Sequence, residues 1–140
     1  MSLEVVVFVL TALAGAVVVL TRLRLRDEEG AGRHKVGTGL LNVHTVVGVL
    51  ALGTWVVFLV APEDTVAGGG LVGIIALGLW WVVVICGLLL LIRWIPSRGR
   101  HASGAIEDTW SEGPGLSVLA HVGLLVGVLV FTWAYLTSAV

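Results

Sequence analysis

The stretch Asn42-Val43-His44-Thr45-Val46-Val47-Gly48-Val49-Leu50-Ala51-Leu52-Gly53-Thr54-Trp55 sets a single histidine in an otherwise apolar run long enough to cross a bilayer. An imidazole inside hydrocarbon is costly, and ionisable residues in membrane spans face the bundle interior, where a partner meets them. The stretch has a partial echo in Ala120-His121-Val122-Gly123-Leu124-Leu125-Val126-Gly127-Val128-Leu129-Val130-Phe131-Thr132-Trp133. Two such histidines on two helices point to a pair acting on one thing.

Working outward, the chain has 140 residues, of which 58% are hydrophobic and 12% charged. Its mean hydropathy is +1.07. That composition lies outside the range of a soluble globular domain and marks an integral membrane protein. A helix needs about 20 mostly apolar residues to cross the hydrocarbon core, and four stretches reach that length: 3–21, 36–61, 69–92 and 116–139. The valine and leucine runs lack the alternating pattern of a membrane barrel. The expected fold is therefore all-α, a single transmembrane domain over 1–140 forming a four-helix membrane bundle. Small residues at Ala12 to Ala16 resemble a signal-peptide cleavage region, but Glu4 stands where a cationic leader segment would be, so the first helix is read as permanent.

All eight basic residues fall in two places, Arg22, Arg24, Arg26, Arg33 and Lys35 between the first two helices and Arg93, Arg98 and Arg100 after the third. The turn between the second and third helices carries only Glu63 and Asp64. The positive-inside rule then puts both basic segments in the cytoplasm and both termini outside, in a multi-pass protein of the cell membrane. The single cysteine, Cys86, permits neither an intramolecular disulfide nor a thiolate cluster. No phosphate-binding glycine loop, nucleophile elbow or zinc-protease signature occurs. The partner environment is the lipid bilayer, within a homo-oligomer or a larger membrane complex; no nucleic-acid partner is expected.

Both histidine helices start on the same side, so His44 lies about 12 Å and His121 about 8 Å past the first apolar residue of its span. Two neutral imidazoles facing each other at one depth can supply both axial bonds to a haem iron. On the second helix Gly37, Leu41, His44, Gly48, Ala51 and Trp55 share a face, which puts a glycine one turn beyond the histidine. On the last helix Ser117, His121, Leu125, Val128 and Thr132 do. Counting the same depth along the other two helices reaches Leu13 to Gly15 and Ile85 to Gly87, small residues that would leave room for a porphyrin. Arg33, Lys35 and Arg93 lie where the carboxylates of haem b would emerge, and cations neutralise such groups. The cofactor-binding set is thus His44, His121, Gly48, Arg33, Lys35 and Arg93, with His44 and His121 as metal ligands and no catalytic residue.

Plainer roles stand beside these. A histidine can donate one hydrogen bond between helices, and Gly123 and Gly127 form a G-x-x-x-G packing pattern off the His121 face. His34 and His101 sit in the basic segments at spacings that do not match each other and read as solvated. Trp55 and Trp133 fit an aromatic belt, while of Trp80 and Trp81 at least one should face the interior.

With Asn42-Val43-His44 and Leu119-Ala120-His121 in the second and fourth of four apolar helices, the chain resembles a small b-type cytochrome of the membrane. That resemblance implies haem held between paired histidines and electron transfer to or from a quinone or a redox-protein partner. Relatives with two haems place paired histidines on each of two helices, a pattern this chain lacks. The alternative is a non-catalytic accessory or structural subunit of a larger membrane complex, its glycine faces made for packing and its histidines only hydrogen-bonded.

Overall fold

The computed structural model describes residues 1–27, 38–98 and 114–140, with side chains over 1–20, 39–40, 42–92 and 118–140. Four helices account for nearly all of it: α1 (Leu3–Asp27), α2 (Thr38–Val60), α3 (Gly70–Arg98) and α4 (Pro114–Leu136). Each contains a segment long and apolar enough to cross a membrane. No strand occurs among the described residues. In lipid a helix satisfies its own backbone hydrogen bonds, which is why runs of valine and leucine that would favour strands in water are helical here. α1 and α3 continue about two turns past the expected ends at 21 and 92, carrying Arg22, Arg24 and Arg26 on one and Arg93 and Arg98 on the other.

Neighbours pack in ring order. α2 lies on α3 over the broadest interface, α3 on α4, α4 on α1, and α1 on α2 over the narrowest. Among the described residues, the diagonal helices, α1 with α3 and α2 with α4, keep their Cα atoms more than 8 Å apart. The α2–α3 contact is close because glycines allow it: a Cβ on Gly73 would sit 2.9 Å from Phe58 Cε2 and 2.6 Å from Tyr135 Cε2. The short turn between these helices is held by Thr65, whose backbone N–H and hydroxyl both donate to the Pro62 carbonyl, at 3.0 Å and 2.7 Å.

The core is concentrated in the half of the bundle that carries both termini. Trp55 is fully buried, with its ring centroid 5.0 Å from Phe131 and 5.4 Å from Phe58; Phe131 in turn meets Trp80 at 5.8 Å. Trp55 Nε1 donates to Thr11 Oγ1 at 3.1 Å, and that hydroxyl donates to the Val7 carbonyl at 2.8 Å. On the opposite side Trp81 Nε1 donates to Thr132 Oγ1 at 3.2 Å. These bonds satisfy polar atoms that lipid would leave bare, and the two indole bonds each tie two helices. Outward-facing side chains such as Leu20, Ile92 and Leu136 are more than 60% exposed, as suits a surface solvated by lipid tails.

Candidate functional site

Toward the other end of the bundle the axis is lined differently. α2 and α4 run parallel on opposite corners, with Trp55 opposite Phe131 and His44 opposite His121. The sequence offsets, 76 and 77, agree, so one register sets both layers. Eleven residues separate His44 from Trp55, a rotation of about 20° around the helix, so both face the axis. The imidazole centroids are 6.0 Å apart with their planes 25° from parallel. That is too far for close stacking. With metal–nitrogen bonds of about 2 Å, two imidazoles on opposite sides of one metal have centroids a little over 6 Å apart.

α3 supplies the third side. A Cβ on Gly87 would lie 2.6 Å from His121 Cδ2 and 3.2 Å from both His121 Nε2 and His44 Cε1. Carbon atoms pack best at about 3.5–4.0 Å, so both rings occupy space that any side chain at position 87 would need. Val83 and Val84, one turn away on α3, are buried. Nδ1 of the His44 ring is buried and makes no hydrogen bond. Leaving such an atom unsatisfied costs about 1–3 kcal/mol. The indole Nε1 of Trp80, in the aromatic layer, is the other buried side-chain atom of this kind among the described residues.

The structure thus brings His44 and His121 together and places Gly87 between them. Gly48 faces α3, where a Cβ would make an ordinary 4.0 Å contact with Val83 Cγ2. Arg33, Lys35, His34 and His101 lie outside the described residues, as do the side chains of Arg93, Leu41 and Ser117. The small residues of α1 are not level with the histidines. Thr11 is level with Trp55, and a Cβ on Gly15 would lie 3.9 Å from Leu52, two turns from His44. By that antiparallel register position 22 is level with His44. Trp55 belongs to the core and not to an interfacial belt, whereas Trp133 is 63% exposed. A Cβ on Gly123 or Gly127 would meet nothing within 4 Å, so neither glycine is required by a close helix contact.

A free metal ion wants three or four protein ligands, and no group of three or more histidine, cysteine or acidic side chains occurs among the described residues. A macrocycle that brings four nitrogens of its own needs only the two that His44 and His121 offer. The donor set, the orphaned Nδ1 and the bare Gly87 backbone fit such a group. The fold and this site define a class, a helical membrane bundle with an imidazole pair spanning one diagonal. Compared with known proteins, the chain matches no family model, no curated protein and no solved structure.

Proposed function

We propose that the protein is a membrane b-type cytochrome that binds haem b between His44 and His121 and carries electrons to or from a quinone or a redox partner. The observation that carries this reading is the imidazole pair itself: two rings 6.0 Å apart on helices whose backbones do not touch, meeting over a glycine, one with a buried unsatisfied nitrogen. When bound, haem supplies a one-electron couple. His44 and His121 would hold it, and with both imidazoles on the metal no position would be left for water or substrate, so the chain would act as a carrier and not by itself as an oxygenase or peroxidase. Val83, Val84 and the aromatic layer keep water from the pair on the terminus-bearing side. Arg33, Lys35 and Arg93 are the cations available to the haem carboxylates. The protein spans the cell membrane with both termini outside.

The test is an absorption spectrum of protein expressed with ample haem. The intact chain should be six-coordinate and low-spin in both oxidation states. His44→Ala or His121→Ala should lose haem or leave a five-coordinate form that binds carbon monoxide, while His34→Ala and His101→Ala should leave the spectrum unchanged. A haem spectrum that survives the double replacement of His44 and His121 refutes the ligand assignment. A colourless protein refutes the cytochrome reading and favours an accessory subunit.

A further inference from the structure

We propose that the histidine site exchanges electrons with one side of the membrane only, the side on which α2 and α4 begin, and that its partner there is an anionic, water-soluble one-electron carrier. The proposal rests on the haem reading above and adds to it the direction of access and the chemistry of the partner.

The pair is far from the bundle centre. His44 follows the start of α2 at Thr38 by six residues and His121 follows Pro114 by seven, about 9–11 Å along the axis. From the pair to the ends of those helices at Val60 and Leu136 is about 23 Å. Gly87, between the rings, lies 17 residues past the start of α3, about 26 Å from that same far end. The longer path is closed. Trp55, Phe131, Val128 and Ala51 are at most 1% exposed, with Trp80 and Phe58 packed against them. Closely packed interiors of this kind admit neither water nor a solute. A carrier arriving at the far end would remain about 20 Å or more from the imidazoles.

Charge distinguishes the two ends in the same sense. The α1–α2 and α3–α4 connections, with the helix ends that lead into them, hold all eight basic residues against six acids, Asp27, Glu28, Glu29, Glu107, Asp108 and Glu112. The other end holds Glu4, Glu63 and Asp64 and no base. The near end is therefore net positive and the far end net negative, so an anion is drawn to the surface closest to the site. In the step, one electron leaves the carrier and reduces iron(III) to iron(II). With His44 and His121 retained on the metal, no proton and no ligand is exchanged.

Haem-loaded Glu63→Cys protein in sealed vesicles provides the test, because position 63 reports which way each molecule faces. An impermeant maleimide gives the fraction with the α2–α3 turn outward, the unsubstituted protein serving as the blank for Cys86. External dithionite should immediately reduce only the fraction whose turn is shielded, and the rest after detergent. Zinc protoporphyrin loaded in place of haem should show the same partition when its fluorescence is quenched by external iodide. Added salt should slow reduction by dithionite and speed reduction by hexaammineruthenium(II). Reduction and quenching that follow the labelled fraction, or reach every molecule at once, overturn the sidedness; the reverse salt response overturns the anionic partner. A protein that takes up neither macrocycle overturns the haem reading and this proposal with it.

Discussion

Replacing Gly87 by alanine tests whether the two imidazoles are held where the structure puts them. The new methyl group would lie 2.6 Å from His121 Cδ2, about 1 Å inside a comfortable carbon contact, and 3.2 Å from His44 Cε1. Neither ring is the loose end of a long side chain, so relief requires His121 to leave its rotamer or α4 to move away from α3. Overpacking of this kind costs about 1–3 kcal/mol. At about 1.4 kcal/mol per tenfold, haem affinity should fall roughly 5- to 140-fold, measured by titrating depleted protein with haem and following the absorbance. The residual complex should contain a five-coordinate fraction. Gly78→Ala on the same helix is the control, since its Cβ meets nothing within 4 Å and the change gains up to about 1 kcal/mol of helix propensity. Gly87→Ala protein with the affinity and spectrum of the Gly78→Ala control would refute the idea that both rings converge on the α3 backbone.

Other substitutions separate the layers. Trp55→Phe keeps most of the stacking on Phe131 but removes the bond to Thr11, and should lower thermal stability by about 1 kcal/mol; Trp55→Ala should cost about 3–5 kcal/mol, while Trp133→Ala stays within about 0.5 kcal/mol. Haem-depleted protein should melt well below the loaded form, because a ligand bound only by the folded bundle adds its binding free energy to folding. Gly123→Ala and Gly127→Ala should leave haem affinity unchanged and, like Gly78→Ala, hold or slightly raise the melting temperature, because an added Cβ meets no atom within 4 Å at either position.

Much of the arrangement was readable because hydrophobic length and helical periodicity are sufficient to define spans and faces. The face shared by His44, Gly48, Ala51 and Trp55 turns inward as its spacing requires, with Ala51 and Trp55 fully buried. Of the two tryptophans expected in the aromatic belt, Trp133 is exposed and only Trp55 turns inward. Thr54-Trp55 and Thr132-Trp133 look alike, but Trp55 follows its histidine by 11 residues and Trp133 by 12, and that extra residue turns the second indole about 100° outward. Thr132 takes the inward place instead and accepts the Trp81 N–H. The small residues of α1 lie nearer the Trp55 layer than a count back from residue 21 predicts. α1 stays helical through the Arg-Leu alternation to Asp27, so its register is set by the Thr11–Trp55 bond and not by where apolarity ends. Gly87 carried a usable signal, since it shares a face with Trp80, Val83, Val84 and Leu91. What periodicity could not supply was the pairing of that face with both histidines.

The narrow α1–α2 interface bears on how the molecule is assembled. α1 precedes α2 in the chain, but little besides the Thr11–Trp55 clasp joins the two, and a hydrogen bond between helices in a bilayer contributes only about 1 kcal/mol. The α2–α3 hairpin, with its short turn and glycine-lined contact, is the stronger early unit, and it already carries His44 and Gly87. His121 stands on α4, so the imidazole pair is completed only once α4 has inserted. The α2–α3 hairpin is therefore the natural template of the bundle, and the imidazole pair forms only where α4 docks against it.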